Sequence, residues 1–222
     1  MKNIKVCVFD AYGTLFDVHS ASRKLSDKIG KDYEEFSNLW RAKQLEYSFL
    51  REIMDDYKDF YDVTRDALKY AMKTHGLENS LEAELMNLYN ELSAYDEVVE
   101  VLKELQEREI RTVILSNGSY DMLLRAVDSA GLTKYIDNIV SVADIEKFKP
   151  RENVYKMINY KINVENDEVA FFSSNGWDIS GAAKFGFNTI WVNRFNKVVE
   201  ELTDKPKFIV KDLKEAITKL EV

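Results

Sequence analysis

Apolar positions fall into two regimes along the 222-residue chain. Five short runs, VCVF (6–9), TVIL (112–115), IVSV (139–142), VAFF (169–172) and TIWV (189–192), are apolar almost end to end. An alternating strand has one wet face, whereas a strand apolar throughout is covered on both, so these runs predict a parallel sheet between layers of helix. The segments between the later runs, DEVVEVLKEL, SYDMLLRAVDSAG, RENVYKMINY and WDISGAAKFG, have helical spacing, with Gly131 and Gly186 as stops. The predicted fold class is α/β.

Roughly 100 residues separate the first run from the second, far more than one crossover helix uses. Residues 17–94 contain no convincing strand. Phe36, Leu39, Trp40, Tyr47 and Leu50 fall at helical spacing, as do Phe60, Val63, Ala67 and Ala71, and then Leu81, Leu85, Leu88 and Leu92. The expected organisation is a core of residues 1–16 and 95–222, interrupted by a helical insertion over 17–94. The charged segment KDLKEAITKLEV predicts a solvated amphipathic helix.

Composition narrows the class. A chain 45% hydrophobic and 32% charged is an ordinary globular one, which excludes disorder and fibrous repeats. The net charge of −8 argues against nucleic acid and membrane surfaces as main partners. Cys7 is the only cysteine, so no internal disulfide forms; inside VCVF it reads as a small buried hydrophobe, and a reducing cytoplasm is expected. The four apolar residues before Asp10 are too few for a signal-peptide core, and no run approaches the roughly 18 of a membrane span.

Ligands of open parallel sheets bind beyond the carboxyl ends of the strands. Those positions are polar here: Asp10 with AYGT, then Ser116, Asn117 and Gly118, then Lys149-Pro150, then Ser173, Ser174, Asn175 and Asp178. One such residue is usually a helix cap, but four strand ends together point to a site. Asp10 is ionised at neutral pH and needs no base before attacking carbon. Gly13 lets the loop turn tightly, and Thr14 either donates to the carboxylate or stiffens the turn. Lys149 precedes a proline and so favours extended backbone, as suits a loop aiming an ammonium that keeps Asp10 anionic. His19 and His75 lie away from the strand ends and read as surface or capping residues, so no histidine triad is available.

The strings DAYGTLFDV, LSNGS, KFKPRENVY and SSNGWDISGA, with WRAKQLEYSFLR (40–51), resemble the haloacid dehalogenase superfamily, and within it the L-2-haloacid dehalogenases, over essentially the whole chain. The resemblance implies a Rossmann-like core, a helical cap and a nucleophile at Asp10. It implies that Tyr155, Ser173, Asn175 and Asp178 orient the cluster, with Asp178 activating water; Tyr155 equally fits as a core aromatic. Arg41 and Asn117 would take the leaving halide, Arg41 alternatively a carboxylate, and Ser116 with nearby backbone N–H groups the substrate carboxylate. Tyr12, Leu45, Phe60 and Trp177 would wall the alkyl group, although Leu45 and Phe60 also fit ordinary packing. Related enzymes are often dimers, so a homodimer is compatible with the resemblance.

Tyr12 decides among the chemistries. Phosphatases of this superfamily typically carry a second Asp there to protonate the departing alcohol, whereas halide leaves without a proton. Magnesium wants several hard oxygen ligands, and SSNGWD offers only Asp178. The expectation is therefore no metal, no cofactor and a small 2-haloacid substrate. Asp10 would displace halide from C2 of an L-2-haloalkanoic acid, and water would cleave the ester to a D-2-hydroxy acid. The rivals are a magnesium-dependent phosphatase on the same fold and a catalytically idle binding protein.

Overall fold

The computed structural model describes residues 1–221. Six parallel strands form one sheet: β1 (Val6–Phe9), β2 (Arg111–Ser116), β3 (Asn138–Ser141), β4 (Val169–Ser173), β5 (Asn188–Val192) and β6 (Phe208–Val210), in the order β3-β2-β1-β4-β5-β6. Val8 lies opposite Val113 on one side and Phe171 on the other, and β1 and β4 are buried at every position. Their interior is aromatic: Phe9 stacks on Phe172 with centroids 4.7 Å apart. The chain winds outward from β1 through β2 and β3, then returns to the other side of β1 for β4. The connections of β1 and β4 therefore leave in opposite directions and open a crevice at their carboxyl ends.

The helices of the α/β portion are α6 (Val98–Glu107), α7 (Tyr120–Ser129), α8 (Glu152–Ile162), α9 (Gly176–Phe185) and α10 (Leu213–Ile217). The sequence pattern anticipated five strands and missed β6, a three-residue strand two positions beyond Pro206 with too little apolar sequence to register. Val142 belongs to a short 3-10 turn rather than to β3. The C-terminal helix is shorter than KDLKEAITKLEV suggested, and it buries Leu213, Ala216 and Ile217; Val222 lies outside the described residues. Among the described residues, no helix is long and apolar enough to cross a membrane.

Between β1 and α6 lie α1 (Ser20–Lys24), α2 (Ser26–Ile29), α3 (Tyr33–Met54), α4 (Phe60–Thr74) and α5 (Leu81–Asn90). The chain enters and leaves this insertion side by side: the Asp17 N–H donates to the Ser93 carbonyl (2.8 Å) and the Tyr95 N–H to that of Leu15 (3.0 Å). On α4 the predicted apolar stripe is the buried one, Phe60, Val63, Ala67 and Ala71. On α3 it is not. Leu50 is exposed and Tyr47 half-buried, whereas Phe36, Ser37, Trp40, Gln44, Ser48 and Glu52 face inward.

From Gln44 onward that inward stripe is polar. Near its end the buried Glu52 accepts the Phe148 N–H (2.6 Å) and the Arg151 Nε–H (2.6 Å), clasping the loop that carries Lys149. Asp55 pairs with Lys147 beside it. Glu52→Ala leaves a buried N–H without a partner and is expected to cost about 1–3 kcal/mol of stability, read from the urea midpoint, with Glu52→Gln losing less because its carbonyl still accepts.

Candidate active site

Asp10 follows β1 directly and is 5% exposed. Its Oδ2 accepts from Asn175 Nδ2 (2.8 Å), Thr14 Oγ1 (3.0 Å) and Ser173 Oγ (3.4 Å). Its Oδ1 faces a single group, the Lys149 ammonium at 3.2 Å. One oxygen is thus pinned by three donors while the other keeps lone pairs free. The turn needs Gly13, whose φ of +91° is in the left-handed region. Thr14 has two tasks, since its hydroxyl also accepts the Ser174 N–H (2.8 Å), tying the β1 loop to the β4 loop.

Lys149 is fully buried, not a surface lysine. Its Nζ bridges Asp10 and Asp178 Oδ2 (2.9 Å) and sits 5.1 Å from the Phe171 ring. Burial disfavours the charge on Lys149, but the two carboxylates outweigh it and raise the pKa. Asp178, also fully buried, is pushed up to about 6, chiefly by burial, with Lys149 opposing and Asp10 adding to the rise. Tyr155 donates to Asp178 Oδ1 (2.8 Å), so it is both a core aromatic and a partner of the cluster. Among the described residues no three His, Cys, Asp or Glu side chains gather as metal ligands.

A narrow cavity of about 10 Å³ opens beside Asp10, lined by Tyr12, Arg41, Leu45, Phe60, Ser116, Asn117, Asn175 and Trp177. Arg41 reaches it from α3, donating to the Tyr12 carbonyl (3.2 Å) and Asn175 Oδ1 (3.5 Å). Asn117 Oδ1 accepts the Lys149 N–H (2.9 Å), which leaves its amide nitrogen as the unassigned end. The Ser116 hydroxyl accepts the Gly118 N–H (3.1 Å). Tyr12 packs against Phe60 and Tyr89, and a Cβ on Gly118 would lie 2.7 Å from its ring, so only glycine fits there. The Tyr12 hydroxyl is buried without a partner.

All fourteen residues expected from the sequence gather here, eight with Asp10 on the cavity wall and the other five, Thr14, Lys149, Tyr155, Ser173 and Asp178, behind it. Sequence reasoning missed the supports. Arg194 donates to the Thr14 carbonyl (2.9 Å), pairs with Glu97 (2.5 Å) and lies over the Tyr95 ring, bracing the Asp10 loop from β5. Phe49 packs edge-on against Trp177. Gln44 and Tyr89 stand behind Arg41. None of these had a signal in the sequence. His19 is half-buried against Ser37 (2.8 Å) at the start of the insertion, and His75 ends α4, both away from the cavity.

A strand-end carboxylate paired with a buried lysine, under a helical insertion, defines a hydrolase class. A family model described as haloacid dehalogenase-like hydrolase matches residues 4–186, and the chain belongs to that family. Within it the chain groups with proteins that cleave carbon–halide bonds. It is 45% identical over 202 residues to (S)-2-haloacid dehalogenase 1 of Pseudomonas sp. (strain CBS-3), spanning 90% of this chain and 89% of that one. It is 43% identical over 194 residues to (S)-2-haloacid dehalogenase 4A of Burkholderia cepacia, spanning 86% and 84%. The structure of the L-2-haloacid dehalogenase from Xanthobacter autotrophicus, with chloropropionic acid covalently bound, matches with a TM-score of 0.90 at 36% identity over 96% of each chain.

Protonating Asp178 removes both an acceptor of protons and one of the two anions flanking Lys149. Its raised pKa places that loss on the acid side, so turnover is expected to be full above pH 6 and to fall as the pH drops through about 6. A kcat profile flat through that region would exclude Asp178 from the rate-limiting chemistry.

Proposed function

We propose that the protein hydrolyses short L-2-haloalkanoic acids to D-2-hydroxy acids through an aspartyl ester. The observation that carries this reading is the pairing of a fixed, half-free carboxylate with a cavity whose other lining is apolar except for Arg41, Ser116 and the amides of Asn117 and Asn175. Oδ1 of Asp10, with only Lys149 beside it, attacks C2 in line as halide departs toward Arg41 and the Asn117 amide. The carbon–halogen bond breaks as the carbon–oxygen bond forms, inverting C2. The Arg41 guanidinium and the Asn117 N–H groups meet charge where it develops.

Water then attacks Cγ of the ester, giving one proton to Asp178; the Cγ–Oδ1 bond breaks, Oδ1 leaves as the product hydroxyl by taking that proton, and the acid left behind, now carrying the oxygen of the water, loses its remaining proton to regenerate the Asp10 carboxylate. Ser173, Thr14 and Asn175 hold Oδ2 in place through both steps. Ser116 and its neighbouring N–H groups hold the substrate carboxylate, and Tyr12, Leu45, Phe60 and Trp177 enclose the alkyl group. The insertion over residues 17–94 acts as the cap: a cavity of about 10 Å³ is near the size of one water, so admitting a three-carbon acid requires its walls to part. The preference for the L enantiomer rests on the relatives, all named (S)-2-haloacid dehalogenases.

No metal is needed in this scheme, because the Lys149 ammonium supplies the cation between Asp10 and Asp178. Halide release from (S)-2-chloropropanoate is therefore expected to persist in excess chelator, to be absent with the R enantiomer and to vanish in Asp10→Asn. Release that stopped with chelator and returned with magnesium, or phosphate ester hydrolysis in its place, would overturn the proposal.

A further inference from the structure

Arg41 has an unusual set of partners. Its guanidinium donates to Gln44 Oε1 (2.6 Å), the Tyr12 carbonyl (3.2 Å) and Asn175 Oδ1 (3.5 Å), all neutral acceptors. The shortest of these is to Gln44, one turn on along α3 and fully buried. Gln44 is held in turn. Its Nε2 donates to Thr64 Oγ1 (2.6 Å), and that hydroxyl spends its proton on the Phe60 carbonyl (2.6 Å) one turn back on α4. The Tyr89 hydroxyl donates to the same Oε1 (3.1 Å). Burial raises the pKa of Tyr89, so it remains a donor.

This network fixes the sense of the amide. Thr64 has given its only proton to a carbonyl and can only accept from Gln44, so the nitrogen of Gln44 faces Thr64 and its oxygen faces the two donors. The Trp40 indole N–H bonds the Thr64 carbonyl (2.9 Å), locking α3 against α4 at the same level. A glutamate in this position would reach Arg41 equally well, but it would form a buried ion pair and cancel the charge facing the cavity.

From these contacts we infer that Gln44 is a positioning residue, a neutral brace that fixes Arg41 over the cavity while leaving its positive charge uncompensated for a small anion. The inference deepens the dehalogenase reading and rests on it for the identity of that anion as the departing halide. Gln44 neither touches Asp10 nor lines the cavity itself, and the one cavity-wall side chain it bonds is Arg41.

The test uses bromide, both as a product inhibitor of turnover and as a ligand that raises the melting temperature of the protein. Gln44→Glu keeps the size and the acceptor, and beside Arg41 the new carboxylate stays ionised; bromide inhibition and the bromide-dependent melting shift are expected to weaken about tenfold or more. Gln44→Met, which removes the acceptor without adding charge, is expected to lower kcat on 2-chloropropanoate more than on 2-bromopropanoate, because the poorer leaving group depends more on Arg41. A merely structural Gln44 would alter neither bromide affinity nor the chloro-to-bromo ratio. Wild-type bromide affinity in a folded Gln44→Glu protein overturns the brace, as does an unchanged ratio in Gln44→Met. If the wild type binds bromide and loses it in Gln44→Glu, yet releases no halide from either substrate, the dehalogenase reading fails and the brace stands.

Discussion

The structure turns on one buried ammonium. Lys149 sits with almost no exposure between Asp10 and Asp178, and neither carboxylate has another cationic side chain within ion-pair distance. Three charges out of water are costly unless every lone pair and proton finds a partner. Most do here: Thr14, Asn175 and Ser173 serve Oδ2 of Asp10 and Tyr155 serves Asp178, while Oδ1 of Asp10 faces Lys149 alone. These donors come from the ends of β1 and β4 and from α8, so the strand order that brings those ends together is a condition for burying the lysine at all. The arrangement has one more negative than positive charge, which keeps Lys149 protonated and concentrates the strain of burial on Asp178, the group whose pKa rises.

The insertion contributes to this centre mainly through one helix, with Phe60 of α4 on the cavity wall. α3 offers Arg41 to the cavity, Gln44 to Arg41 and Glu52 to the loop that presents Lys149. Just past Glu52 the helix ends in exposed Ile53 and Met54, so at this end polar side chains point inward and apolar ones outward, the reverse of an ordinary amphipathic helix. Parting the walls of the cavity by moving α3 would also release the Phe148 N–H beside Lys149. α3 therefore carries both the Arg41 pole of the cavity and the hold on the lysine loop.

This inversion explains where reading the sequence succeeded and failed. The five apolar runs, the long gap after the first and the polar strand ends were legible because burial on both faces and the carboxyl-end rule leave local marks. The register of α3 was not, since its period was judged from Tyr47 and Leu50 while Ser48 and Glu52 go inside. Polar residues facing a polar site violate the apolar rule that periodicity relies on. Arg194 was invisible for another reason: its partners Thr14, Glu97 and Tyr95 are 97 or more positions away in the chain, and no local pattern encodes such a meeting. The family strings carried Asp10, Arg41 and Lys149, whereas the supports Gln44, Glu52 and Tyr89 had to be found in space.

Tyr12 supplies the last constraint on the chemistry. Its hydroxyl is buried without a partner, and burial first, then Tyr89, holds its pKa well above the ordinary phenol value. A phenol so reluctant to ionise is a poor acid. Around it stand a guanidinium and the amides of Asn117 and Asn175, hydrogen-bond donors and not acids. The side of the cavity away from Lys149 therefore offers positive charge and hydrogen bonds but no transferable proton. An alkoxide leaving there would depart as a strong base with nothing to neutralise it, whereas a halide, already a weak base, needs only the charge. The same replacement that removes a general acid adds an aromatic wall against Phe60, which suits an alkyl group rather than a hydrated phosphate.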